Sequence, residues 1–99
     1  MRYHAAALAV ALVAATGAVH SQDPNLARNL AATCANCHGT NGKSLGGIEP
    51  LAGIAKDTIV QKMKDFKSGA KPATIMHQIS KGYSDQQIEL IAAYFAAQK

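Results

Sequence analysis

Two cysteines and a histidine stand in one five-residue run, Cys34-Ala35-Asn36-Cys37-His38, and the chain has no other cysteine. Two thiols separated by two residues can each add to a vinyl group on one edge of a porphyrin. The residue that follows then offers a neutral imidazole to the iron. This C-x-x-C-H spacing is the attachment pattern of a c-type haem. A redox disulfide would use the same thiols, but it wants a thioredoxin-like βαβ setting, and no strand-like alternation occurs in the chain. A structural zinc needs four ligands. Beyond Cys34, Cys37 and His38, only His77 remains as a nitrogen ligand once the first 21 residues are set aside.

His38 accounts for one axial position of such an iron. Met63, Met76 and His77 are the candidates for the other. Met63 falls within an apolar stripe, between Ile59 and Phe66, where core packing is the ordinary use of a methionine. Met76 follows a break at Lys71-Pro72, in a short segment whose direction is set by proline, and its thioether is the preferred sixth ligand. Methionine paired with histidine raises haem potential and suits electron transfer. His77 lies about 100° around a helix from Met76, so the two cannot both face the iron. An open sixth position would instead favour a haem enzyme or sensor.

The elements that must position these groups are helical. Asp23-Pro24 is a helix-start pair, and Leu26, Leu30 and Cys34 recur at spacings of four. They predict a first helix from about Pro24 to Ala35. Gly39-Thr40-Asn41-Gly42-Lys43-Ser44, then Gly46-Gly47 and Pro50, make a long loop in which Leu51-Ala52-Gly53-Ile54 is an apolar patch expected against the cofactor edge. Asp57 is a candidate cap for a second helix carrying Ile59, Val60, Met63 and Phe66 on one face, stopped at Ser68-Gly69. A short third helix is expected over Ala73 to Lys81, closed by Gly82 as a C′ residue. Ser84-Asp85-Gln86-Gln87 reads as a capping box, with Tyr83 and Ile88 as the hydrophobic staple. Ile88, Ile91, Ala92 and Phe95 then form an inner stripe, while Leu90 and Tyr94 are placed to meet the first helix through Ala27 and Leu30. The expected fold is all-α, about four helices around one haem.

Of the 99 residues, the first 21 read as a secretory signal peptide. Arg2 and His4 precede an apolar run from Ala5 to Ala15, which is about half of the ~20 residues a membrane span requires. Cleavage is expected between Ser21 and Gln22, or alternatively after Ala18. That leaves one monohaem domain, residues 22–99, exported to the periplasm, with no permanent membrane span. So short a chain is near the size at which a domain needs a staple, and a tethered haem is one. The whole chain carries a formal net charge of +4, too weak and too dispersed for nucleic-acid binding.

With the motif and Met76 in view, the chain resembles the class I c-type cytochromes. More narrowly, it is similar to the haem subunit of flavocytochrome c sulfide dehydrogenases. The narrower likeness rests on Cys34 to Thr40, Phe66-Lys67-Ser68-Gly69, Thr74-Ile75-Met76 and Ser80-Lys81-Gly82-Tyr83-Ser84. The ending Ile91-Ala92-Ala93-Tyr94-Phe95 is shared more widely with cytochromes of the c4 type. The resemblance implies thioether links at Cys34 and Cys37, axial ligation by His38 and Met76, and a proline carbonyl, here that of Pro50, accepting the second N–H of His38. Pro50 abuts Leu51 directly, which makes the loop a residue shorter than the resemblance leads one to expect.

The function it implies is single-electron transfer from a sulfide-oxidising, FAD-containing subunit to another redox protein, with no catalysis by the haem chain alone. A free-standing electron carrier is the alternative. Lysines 43, 62, 64, 67, 71 and 81 could ring an exposed haem edge and steer an acidic partner, or could be ordinary solvated side chains.

Overall fold

The computed structural model describes residues 23–99, so the expected signal peptide lies outside the described residues. Among these residues there are four α-helices and no strand: α1 (Leu26–His38), α2 (Lys56–Ser68), α3 (Met76–Lys81) and α4 (Asp85–Ala96). This is the expected all-α arrangement of about four helices.

The helix α4 is central. It packs against both α1 and α2, and α3 packs on α2. Its inner stripe is the expected one, with Ile88, Ile91, Ala92 and Phe95 all buried. Ile59, Val60 and Met63 of α2 and Ala31 of α1 complete the cluster, and Leu30, Tyr83 and Tyr94 pack on its flank. The capping box is formed in full: Gln87 N donates to Ser84 Oγ at 3.1 Å and Ser84 N donates to Gln87 Oε1 at 2.9 Å. Two otherwise orphaned donors at the start of α4 are thereby satisfied. Tyr94 also reaches out of the helix pair, its hydroxyl donating to Asn41 Oδ1 at 2.5 Å.

Several boundaries differ from expectation. The first helix starts later and runs three residues further than Ala35, so the whole haem-attachment pattern is helical. Asp23 does not cap it. Its Oδ1 accepts from Asn25 N at 2.8 Å in a turn that precedes the helix. Nor does Asp57 cap α2, whose N-cap is Ala55. Asp57 sits inside the first turn, where its charge opposes the positive end of the helix dipole.

The third helix begins at Met76 instead of Ala73, because the chain bends through Thr74 and Ile75 and the first helical acceptor is Ile75 O. Gly82 does end α3, but at φ −76 it has a right-handed conformation and not the left-handed one of a C′ glycine.

Between α1 and α2 the long loop holds one 3₁₀ turn, Thr40–Gly42. Gly39 ends α1 directly after His38 at φ +88, and a Cβ there would lie 2.5 Å from Lys43 O. A glycine is what lets the chain leave the helix at that point. Gly42 O then accepts from Leu51 N at 2.9 Å and Ala52 N at 3.2 Å, which folds the loop back over the end of α1.

Candidate functional site

A cavity of about 380 Å³ opens between the end of α1, the loop, α2 and α3. Cys34, Cys37 and His38 stand on its wall from α1. Leu51 and Ile54 of the loop patch line it as expected, together with Ile59, Met63 and Phe66 of α2, and Phe95 of α4 closes it from behind. Its size is that of a small-molecule cofactor site.

The thiols differ in setting. Cys34 is half-buried and packed against the core, while Cys37, three residues on, is exposed. Burial pushes the Cys34 thiol above its ordinary pKa against the pull of a backbone hydrogen bond, and the neighbouring Cys37 adds to the rise.

His38 is the last residue of α1, and its Nδ1 donates to the carbonyl of Glu49 at 2.6 Å. A carbonyl oxygen only accepts, so Nδ1 carries the proton and Nε2 keeps a free lone pair, the tautomer a metal ligand needs. The acceptor is therefore Glu49, not Pro50. This corrects the expected role of Pro50. Leu51 and Ala52 are held by Gly42 O, and Glu49 is the residue that this anchoring brings to His38.

No sequence signal marked Glu49 apart from its place beside that proline. Its carboxylate adds a second tie, since Lys62 Nζ of α2 lies 2.5 Å from Oε1. That hydrogen bond holds the Glu49 carboxyl below the usual carboxylate range.

The three candidates for the second axial position stand in different settings. His77 is not on the cavity wall: its Nε2 donates to the carbonyl of Lys71. Met63 does line the cavity, but it is 6% exposed and belongs to the core cluster with Ile59 and Val60. Met76 lines the cavity as the first residue of α3 and is half-buried.

Of the lysines expected to ring the site, Lys62 pairs with Glu49, Lys67 Nζ donates to Tyr83 O at 2.6 Å, and Lys71 Nζ lies 5.9 Å from the centre of the Phe66 ring.

The residues present fit a covalently held haem. Two thiols at haem-attachment spacing, an imidazole fixed in the ligating tautomer and the thioethers of Met63 and Met76 share one apolar cavity. Ile48 and Ile75 line that cavity yet stay 48% and 58% exposed, as side chains do at the mouth of a site that an apolar group fills. Among the described residues no group of three or more His, Cys, Asp or Glu side chains is arranged to hold a metal ion by itself.

Comparison with known proteins agrees with this chemistry. The chain is 41% identical over 66 residues to the cytochrome subunit of sulfide dehydrogenase from Chlorobaculum tepidum, an alignment covering 67% of this chain and 60% of that one. It is 37% identical over 86 residues to cytochrome c4 of Pseudomonas aeruginosa, covering 85% of this chain and 43% of the relative. With cytochrome c-554(548) of Halomonas halodenitrificans it shares 35% over 71 residues, covering 68% and 86%. The chain thus spans less than two thirds of the length of the first two. The cytochrome c family profile matches residues 25–99, which take in every element described above. The chain belongs to the cytochrome c family and carries one covalent haem c.

Proposed function

We propose that this chain is the haem subunit of a periplasmic sulfide dehydrogenase, accepting single electrons from a sulfide-oxidising, FAD-containing subunit and passing them to another redox protein. The observation that carries this reading is the 41% identity to the cytochrome subunit of sulfide dehydrogenase. Removal of residues 1–21 as a signal peptide belongs to the same reading. Among the described residues no helix is long and apolar enough to cross a membrane.

Within the site, Cys34 and Cys37 would hold the haem through two thioether links, and His38 and Met76 would be the residues that coordinate its iron. A histidine–methionine haem supplies a one-electron couple at raised potential. The chain's own residues orient and shield it. The Glu49 carbonyl fixes the plane and tautomer of His38. Ile59, Met63, Ile91 and Phe95 form an apolar back wall, which excludes water and disfavours added charge at the iron.

Two measurements test this. Met76→Ala is expected to abolish the sulfur-to-iron charge-transfer band of the oxidised protein, and Met63→Leu to keep it; the opposite pattern would reassign the ligand. Co-purification of the haem-bearing chain with a flavin-containing subunit is expected. A chain that stays alone and shows no affinity for any flavoprotein would overturn the assignment in favour of a free-standing carrier. That second reading is favoured by the alignment to cytochrome c-554(548), which spans 86% of that protein.

A further inference from the structure

His77 stands next to Met76 in the first turn of α3. Its ring packs 6.3 Å from that of Phe66, tilted by 56°, and its Nε2 donates to the backbone carbonyl of Lys71. Because a carbonyl cannot donate, the proton is on Nε2. The amide of Lys71 in turn donates to Asp65 O at 3.2 Å, in the last turns of α2. Segment 71–76 is therefore closed at its start onto α2 and across its span onto α3. Met76 is the last residue within that closure, adjacent to the side chain that makes it.

We propose that His77 is a positioning residue for the sixth ligand: its bond to the Lys71 carbonyl holds segment 71–76 shut and keeps the Met76 thioether on the cavity wall. This rests on Met76 being the sixth ligand. An external ligand reaches the iron only when Met76 withdraws, so its apparent affinity scales with the fraction of molecules in which the segment is open. Losing a hydrogen bond of ordinary net strength raises that fraction about three- to tenfold. His77 itself contributes nothing to the iron, since its ring faces Phe66 and Lys71 instead of the cavity.

The test is an imidazole titration of the oxidised, haem-bearing protein. His77→Phe keeps a ring against Phe66 but has no donor, and is expected to bind imidazole about three- to tenfold more tightly than the parent chain. His77→Gln retains an N–H at similar reach and is expected to stay within about twofold. Parental affinity in His77→Phe, or equal loosening in His77→Gln, would overturn the proposal. If His77→Phe fails to retain haem, His77→Asn replaces it: the shorter amide cannot reach Lys71, so it is expected to loosen where Gln does not, and no difference between them overturns the proposal. Met76→Ala separates the two assignments. If that variant keeps the charge-transfer band, the sixth-ligand reading fails; if it loses the band while His77→Phe binds imidazole as the parent does, only the role of His77 fails.

Discussion

Replacing Gly42 by alanine puts a methyl group where the loop crosses the end of α1. Gly42 is buried with φ +77, and its Cβ would stand 2.7 Å from Ala52 N, 2.8 Å from Phe95 Cδ1 and 3.0 Å from Leu51 Cβ. Two costs combine. An L-residue held at positive φ is disfavoured by about 1–2 kcal/mol. Crowding against a backbone nitrogen and a core ring adds about 1–3 kcal/mol, as in other overpacked interiors.

Relief by moving the loop is blocked, because Leu51 N and Ala52 N both donate to the Gly42 carbonyl. The expected loss is about 2–5 kcal/mol, large against the 5–15 kcal/mol that holds a typical domain. It should lower the melting temperature by about 10 °C or more. Denaturant unfolding of the haem-bearing protein, followed by far-ultraviolet circular dichroism, measures it. Gly46, where a Cβ would meet nothing within 4 Å, is the control, and Gly46→Ala should change stability by less than about 0.5 kcal/mol. A Gly42→Ala loss below about 1 kcal/mol would refute the steric reasoning.

Two further perturbations are smaller. Ser84→Ala removes the side-chain acceptor of the capping box and should cost about 1 kcal/mol by the same unfolding measurement, with the haem spectrum unchanged because α4 frays only at its exposed start. Tyr94→Phe deletes the hydroxyl bonded to Asn41 and should cost about 1 kcal/mol, seen also as faster amide exchange in the 40–42 turn.

The parts of this fold that can be read in the sequence are those that depend on local patterns. The stripe Ile88, Ile91, Ala92 and Phe95 and the Ser84–Gln87 box are each specified within a few residues, and both stand as expected. Helix ends whose position depends on tertiary contacts were less legible. The extension of α1 to His38 relies on Gly39 turning sharply against Lys43, and the late start of α3 on Lys71 being tied to both Asp65 and His77. Asp57 looks like a cap because it is an acidic residue just before an apolar stripe, yet Ala55 is the N-cap and the helix begins at Lys56, two residues before the start that a cap at Asp57 implies. In the site, Cys34, Cys37 and His38 were legible because their spacing is itself the chemistry. Met76 and Met63 differ only in the kind of segment that carries them, which the sequence marks weakly through Pro72.

The shift of the His38 acceptor from Pro50 to Glu49 follows from chain length between two fixed points. One point is His38 itself, at the end of α1; the other is the pair of bonds that holds Leu51 and Ala52 to Gly42. With Pro50 directly before Leu51, the carbonyl that falls against Nδ1 belongs to Glu49. One more residue between Pro50 and Leu51 would slide the register by one and bring the Pro50 carbonyl to that place. The bond is made by backbone, so no side-chain identity at 49 or 50 announces it, and a motif reading had nothing to hold on to. What the glutamate side chain adds is the tie to Lys62, which fastens the acceptor's own residue to α2, the helix that supplies Ile59 and Met63 to the cavity.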